Sequence, residues 1–174
     1  LPIAIGEINS HWSHAVSGEA TPDSFYNAIW WADVLGRLIR QQVDIVAYFS
    51  LQSPPTTGGF GLLATSDVRP TYYVYQIYQR FGSELLFAAS DDPNVSVYAA
   101  RRDDGALTLV VVNLGFEEKA KPLFVHGFEI GGAAEVWLFD AEHEAEMVGT
   151  QEIASGDEIA LPAQSISLYV FPQQ

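Results

Sequence analysis

Cysteine is absent from the 174 residues, which excludes disulfides, thiol catalysis and cysteine metal sites. Basic residues are scarce. Only 8 Lys and Arg stand against 22 Asp and Glu, a formal net charge of −14. Such a surface repels a phosphate backbone and has no cationic cluster to release counter-ions, so neither nucleic acid nor an anionic membrane is an expected partner. No apolar run approaches the roughly 20 residues of a membrane span. The opening Leu1-Pro2-Ile3-Ala4-Ile5-Gly6 lacks the basic region of a signal peptide. These absences leave the compartment open, extracellular or cytoplasmic. The acidity itself reads as a solvated, soluble surface.

What is present is a composition able to build a core: 48% apolar and 13% aromatic, with Pro and Gly at segment boundaries rather than in tracts. The chain opens without Met, directly in a strand-like run, so it is expected to be a piece of something longer. Pro2 to Ile8 is a nearly continuous apolar run, the pattern of a parallel strand covered on both faces. Thr21, Pro22 and Asp23 then signal a helix start with Thr21 as cap, and the helix is predicted to reach about Gln42. Its expected buried stripe is Phe25, Ile29, Ala32, Leu35, Leu38 and Ile39. A second apolar run, Ile45 to Leu51, completes a strand-helix-strand order with a crossover long enough for parallel neighbours. Pro70 opens another helix that Gly82 closes.

From about Leu85 the hydrophobic period shortens to two. Short strands are predicted at Val95 to Ala100, Leu107 to Leu114, Ala134 to Phe139, Glu152 to Leu161 and Ser165 to Phe171. Asp103-Asp104-Gly105 marks a hairpin, and Gly131-Gly132 punctuates another connection. Strands at this spacing without helices between them indicate an antiparallel sandwich. The expected fold is thus mixed α/β followed by all-β, with a βαβα segment over 1–83 and a β-sandwich over 84–174.

Glu7 ends an apolar parallel strand, where (β/α)8 enzymes place active-site residues, although a strand-end Glu can equally serve in a salt bridge. Asn9, His11, Trp12 and His14 follow in one loop at the same mouth and offer hydrogen-bonding groups and an aromatic face. His11 and His14 have neither a His-x-x-x-His helix nor an acidic triad beside them, so no catalytic metal is expected. No phosphate loop, nucleotide fingerprint or Ser-His-Asp arrangement stands out, and no cofactor is implied.

The segment Pro2-Ile3-Ala4-Ile5-Gly6-Glu7-Ile8-Asn9-Ser10 resembles the seventh-strand motif of clan A retaining glycosidases, in which a Glu at that strand end is the nucleophile. Asp44 to Leu51 resembles their eighth strand. Gly61-Leu62-Leu63 through Arg69-Pro70-Thr71-Tyr72-Tyr73-Val74-Tyr75 is similar to the final barrel helix, and Leu161 to Leu168 to the last strand of the accessory sandwich. The likeness is nearest to the β-xylosidases and α-L-arabinofuranosidases. It implies strands seven and eight of an incomplete (β/α)8 barrel, with Glu7 as nucleophile and Asn9, His11, Trp12, Tyr48, Phe49 and Gln52 at the sugar site. The substrate would be an oligosaccharide or polysaccharide. Family members carry a Trp in the eighth strand where this chain has Tyr48-Phe49, a departure from the pattern. Nothing in the chain matches their acid/base. Glu19, Asp44, Asp67 and Glu84 each read as loop, helix-end or surface carboxylates, so the acid/base is expected upstream in the same protein or on a partner chain. Alternatively, the sandwich is the working unit and binds carbohydrate or protein. That reading needs exposed rings among Tyr98, Trp137, Phe139, Tyr169 and Phe171, whereas strand alternation predicts most of them in the core.

Overall fold

A computed structural model describes residues 1–14 and 20–174, which form two compact units, Leu1–Tyr75 and Gln76–Gln174. In the first unit, β1 (Ala4–Ile8) pairs in parallel with β2 (Ile45–Tyr48) across the intervening helix α1 (Phe25–Arg40). The helix starts later than the sequence predicts. Ser24, not Thr21, is the cap, and its hydroxyl accepts from Asn27 N at 3.1 Å. Thr21 is diverted because its hydroxyl donates to Asp23 Oδ1 (2.6 Å), closing a turn ahead of the helix. The buried face is also rotated from the predicted stripe. Asn27, Ala28, Trp31 and Gly36 are buried with Ile29 and Ala32, whereas Leu35, Leu38 and Ile39 are half-buried. The second strand stops at Tyr48, short of Leu51, and the Phe49–Ser50 peptide is cis. The chain then turns into three short strands, β3 (Gln52–Ser53), β4 (Leu63–Ala64) and β5 (Asp67–Val68). Helix α2 (Pro70–Tyr78) follows, and its end precedes the predicted stop at Gly82.

The pair β1–β2 is not covered on both faces in this chain. Val46 and Tyr48 are half-buried while Ile45 and Ala47 are exposed, and Ile3 and Ile45 are 55% and 62% exposed. Among the described residues, no helix is long and apolar enough to cross a membrane.

The second unit is built on a six-stranded antiparallel sheet. Its strands are β6 (Glu84–Leu86), β7 (Val95–Arg101), β8 (Leu107–Asn113), β10 (Ala134–Phe139), β11 (Glu144–Gln151) and β13 (Ser165–Phe171), in the order β11-β10-β13-β8-β7-β6. A two-stranded layer of β9 (Lys119–Pro122) and β12 (Glu158–Leu161) contributes Ile159 and Leu161 to the core formed with Val95, Leu109, Val111, Tyr169 and Phe171. The central strands β8 and β13 are buried at every position, Thr108, Asn113, Ser165 and Ser167 included. The predicted strand Glu152 to Leu161 is broken. Asp157 Oδ2 accepts from Ala154 N (2.7 Å), and Gly156, at φ +102°, turns the chain ahead of β12. The predicted hairpin stands, with Gly105 N bonded to Arg102 O at 2.9 Å.

Asn113 ties the layers together. Fully buried, it donates through Nδ2 to the carbonyls of Glu117 (2.9 Å), Leu161 (3.2 Å) and Pro162 (2.8 Å), and its Oδ1 accepts from Gly115 N (3.0 Å). Removing the amide strands several buried groups at once, so Asn113→Ala should lose about 3 kcal/mol in urea unfolding, and a loss below about 1 kcal/mol would contradict this role. Nearby, Asp92 lies 2.6 Å from Lys119 Nζ, accepts from Asn94 N at 2.9 Å and sits 3.2 Å from Lys121 Nζ. The Lys119 ammonium, first among these, holds the Asp92 carboxyl far below the usual carboxylate range. A depressed folded-state value stabilises above the unfolded pKa and is lost as pH falls toward the folded value. Asp92→Asn should therefore be less stable at pH 7 and show a flatter decline in stability between about pH 5 and pH 2. Thermal melts across that range read the slope, and an unchanged slope assigns the acid sensitivity to other carboxylates.

Candidate active site

A cavity of about 370 Å³ opens at the C-terminal ends of β1 and β2, lined by Glu7, Ile8, Asn9, Ser10, His11, Trp12, Phe49 and Phe60. Register explains how Glu7 reaches it. Ile5 pairs with Val46 but Ile8 with Tyr48, so β1 carries one more residue than β2 between these pairs. Simple alternation would put Glu7 on the same face as half-buried Ile5. With the extra residue, Ile8 takes that face and Glu7 stands exposed.

Asn9 then closes the strand ends together. Its Nδ2 donates to Phe49 O, while its Oδ1 accepts from Ser10 N at 2.7 Å. The His11 ring folds onto its own loop, with Nδ1 2.7 Å from Ser13 O, and stacks on Trp12 with centroids 6.0 Å apart and planes at 21°. Trp12 is 91% exposed. Phe49 meets Phe60 edge-on at 5.5 Å, and the His14 ring lies 4.9 Å from Phe60. The result is a carboxylate beside apolar rings with amide and imidazole groups at the rim.

Of the predicted site residues, Glu7, Asn9, His11, Trp12 and Phe49 come together at the cavity. Tyr48 and Gln52 do not line it. Tyr48 turns toward the helices: Asn27 Nδ2 donates to its hydroxyl (3.0 Å) and to Thr71 Oγ1 (2.8 Å), and the Trp31 ring lies 4.9 Å away. Burial raises the Tyr48 pKa, partly opposed by the Asn27 hydrogen bond. Gln52 Nε2 donates to Thr65 O at 2.8 Å. The sequence reasoning missed Phe60, whose signal was an aromatic residue flanked by glycines in Gly58-Gly59-Phe60-Gly61.

Glu7 is the only carboxylate among the described residues that line the cavity. Asp44 instead accepts from Ile3 N (2.7 Å), Asp67 lies in β5, Glu84 stands 4.0 Å from Arg101, and Glu19 falls outside the described residues. No group of three or more potential metal ligands occurs among the described residues. In the second unit Tyr98, Phe139, Tyr169 and Phe171 are buried, and the Trp137 ring carries the Arg80 guanidinium 3.8 Å from its centroid. These five rings make no exposed row on the sheet.

No protein-family model matches the chain, and no curated protein matches it. Solved structures do. Over 99% of its length the chain is similar to CelM2, a bifunctional glucanase-xylanase protein from a metagenome library, with TM-score 0.78 and 27% identity, covering 31% of that protein. It is also similar to a family 30 endoxylanase from Clostridium papyrosolvens C71, with TM-score 0.73 and 14% identity over 98% of this chain and 42% of that one. A family 51 α-L-arabinofuranosidase bound to arabinose gives TM-score 0.67 and 16% identity, over 97% of this chain and 32% of that one. The fold is glycoside-hydrolase-related. The chain spans between 31% and 42% of the length of these three proteins.

The Asn9 bridge makes the site's geometry testable. Asn9→Ala should speed hydrogen exchange at Ser10 and the following loop by about tenfold, the loss of roughly 1.4 kcal/mol of local stability. Amides within α1 should be unaffected. Equal exchange in both proteins would show that the loop is held by other contacts.

Proposed function

We propose that this chain supplies the nucleophile side of a retaining glycoside hydrolase active site, in a protein whose remaining barrel units lie outside these residues. The reading assigns the first unit to strands seven and eight of a (β/α)8 barrel and the second to its accessory sandwich. The observation that carries it is Glu7, an exposed carboxylate at a parallel strand end, standing beside the aromatic wall of a cavity in a glycoside-hydrolase-related fold.

In this chemistry a Glu7 oxygen attacks the anomeric carbon as the bond to the leaving oxygen breaks, and a second carboxylic acid delivers its proton to that oxygen. Water then attacks the glycosyl ester, giving its proton to the same second group, and Glu7 departs as carboxylate. That second carboxyl must stand about 5 to 5.5 Å from Glu7. Among the described residues that line the cavity Glu7 has no such partner, and the reading assigns the acid/base to the rest of the protein. Phe49 and Phe60 offer apolar faces for the C–H side of a sugar ring, and Asn9 and His11 offer polar atoms for its hydroxyls. Xylanase and arabinofuranosidase neighbours favour pentose-containing plant oligosaccharides or polysaccharides as substrate. Nothing favours the sandwich as an independent binding module, since four of its five candidate rings are buried.

The test is made in the full-length protein. Glu7→Gln should lower kcat on aryl xylosides or arabinosides by about three orders of magnitude or more. A 2-fluoroglycoside should label the peptide that contains Glu7, and NMR of the first-formed product should show retained anomeric configuration. A near-native rate for the variant, or inversion at the anomeric carbon, overturns the assignment.

A further inference from the structure

We propose that Arg69 is the positioning residue for the aromatic wall of the cavity, holding Phe60 in place through the loop of residues 53–61. The inference rests on the cavity being the sugar site. Arg69 is 6% exposed, and among the described residues no carboxylate lies within salt-bridge distance of it. A guanidinium taken out of water without a counter-ion is tolerated only when its N–H groups find other acceptors. Here they come from one stretch of chain. Nη1 donates to Ser53 Oγ (2.7 Å) and Gly61 O (3.1 Å), and Nη2 to Thr56 O (3.0 Å) and Pro54 O (3.3 Å). Ser53 Oγ in turn accepts from Gly61 N at 3.1 Å, so the two ends of the loop meet at the guanidinium.

The fit leaves no spare room. A Cβ placed on Gly59 would lie 2.7 Å from Arg69 Nη2 and 2.9 Å from Ser53 Oγ. Phe60 is therefore flanked by one residue packed on the guanidinium and another bonded to it. Its ring leaves this frame to meet Phe49 edge-on in the cavity wall, while Gly58 N is held by Asp23 Oδ2 (2.7 Å). Neither Arg69 nor Ser53 lines the cavity. Their effect on a sugar passes through Phe60. Lysine cannot replace the fork, because a single ammonium cannot span acceptors spread over residues 53 to 61.

A double-mutant cycle in the full-length protein tests this. With a 4-nitrophenyl xyloside or arabinoside as probe, Arg69→Ala and Phe60→Ala should each raise KM about tenfold, with kcat changed less than threefold. The double variant should show the KM of Phe60→Ala alone, and additive effects would overturn the proposal. Arg69→Lys should not restore KM, whereas added guanidinium at low millimolar concentration should partly rescue Arg69→Ala. If Arg69→Ala fails to fold, Ser53→Ala takes its place in the cycle with a smaller rise in KM. Hydrogen exchange is the readout independent of activity. Arg69→Lys should speed exchange at residues 58–62 at least tenfold while α2 is unchanged, and unaltered exchange there overturns the role even if Glu7 proves essential. Conversely, a coupled Arg69–Phe60 pair with an active Glu7→Gln variant would sink only the catalytic assignment.

Discussion

Everything at the cavity depends on the register in which β1 meets β2. Asp44 fixes one end, its carboxylate accepting from Ile3 N (2.7 Å) and its amide donating to Ile3 O (3.0 Å). The other end is fixed by Phe49 N donating to Ile8 O (2.9 Å) and by the Asn9 side chain bonded to Phe49 O. Between these anchors the strands differ by one residue, and that difference decides which face Glu7 takes. A slip by one position would exchange Phe49 for Tyr48 at the mouth and turn the carboxylate toward the helices. The polar contacts at both strand ends are what make such a slip costly, because the exposed face of the pair supplies little burial to oppose it.

The opposite face is specified by a small polar knot. Asn27 on α1 donates to both Tyr48 on β2 and Thr71 on α2, and the buried Trp31 ring packs on Tyr48. Burial keeps the Tyr48 hydroxyl protonated, so it remains a neutral partner across the working pH range. Apolar packing alone would tolerate rotation of α1. A buried amide bridging two elements does not, and the cap at Ser24 together with the Asp23–Gly58 bond carries that restriction into the loop bearing Phe60.

Much of this was legible in the sequence, and the gaps have physical causes. Apolar runs located β1 and β2, and strand-end placement singled out Glu7, Asn9, His11 and Trp12. Tyr48 is the last residue of β2 and turns to the helices, whereas Phe49, just past the strand end, lines the cavity. Gln52 lies beyond the end of β2, where the chain has already turned. Phe60 has no periodic signature, because it sits in an irregular loop between β3 and β4. The helix cap is ambiguous for a similar reason: Thr21 and Ser24 are both good caps by residue type, and the Thr21 hydroxyl is bonded to Asp23 while Ser24 accepts from Asn27 N. In the second unit the deeply buried strands β8 and β13 were evident. The edge strand β11 is less legible, since Ala145 is its one buried residue and the polar-apolar alternation stops after Met147.

The electrostatics of the cavity bear on the kind of glycan it suits. Among the described residues its lining contains Glu7 and no Lys or Arg, within a chain of net charge −14. The Arg69 guanidinium does not line the cavity, and its Nη1 and Nη2 groups donate to Ser53 and three loop carbonyls. An anionic sugar would meet repulsion from Glu7 and from the surrounding field with no cation in this part of the site to offset it. In the proposed site a neutral pentose would incur no such cost. In the proposed chemistry the positive charge that develops at the anomeric carbon is the one species this field attracts, so the same acidic character that disfavours anionic substrates favours the oxocarbenium-like transition state.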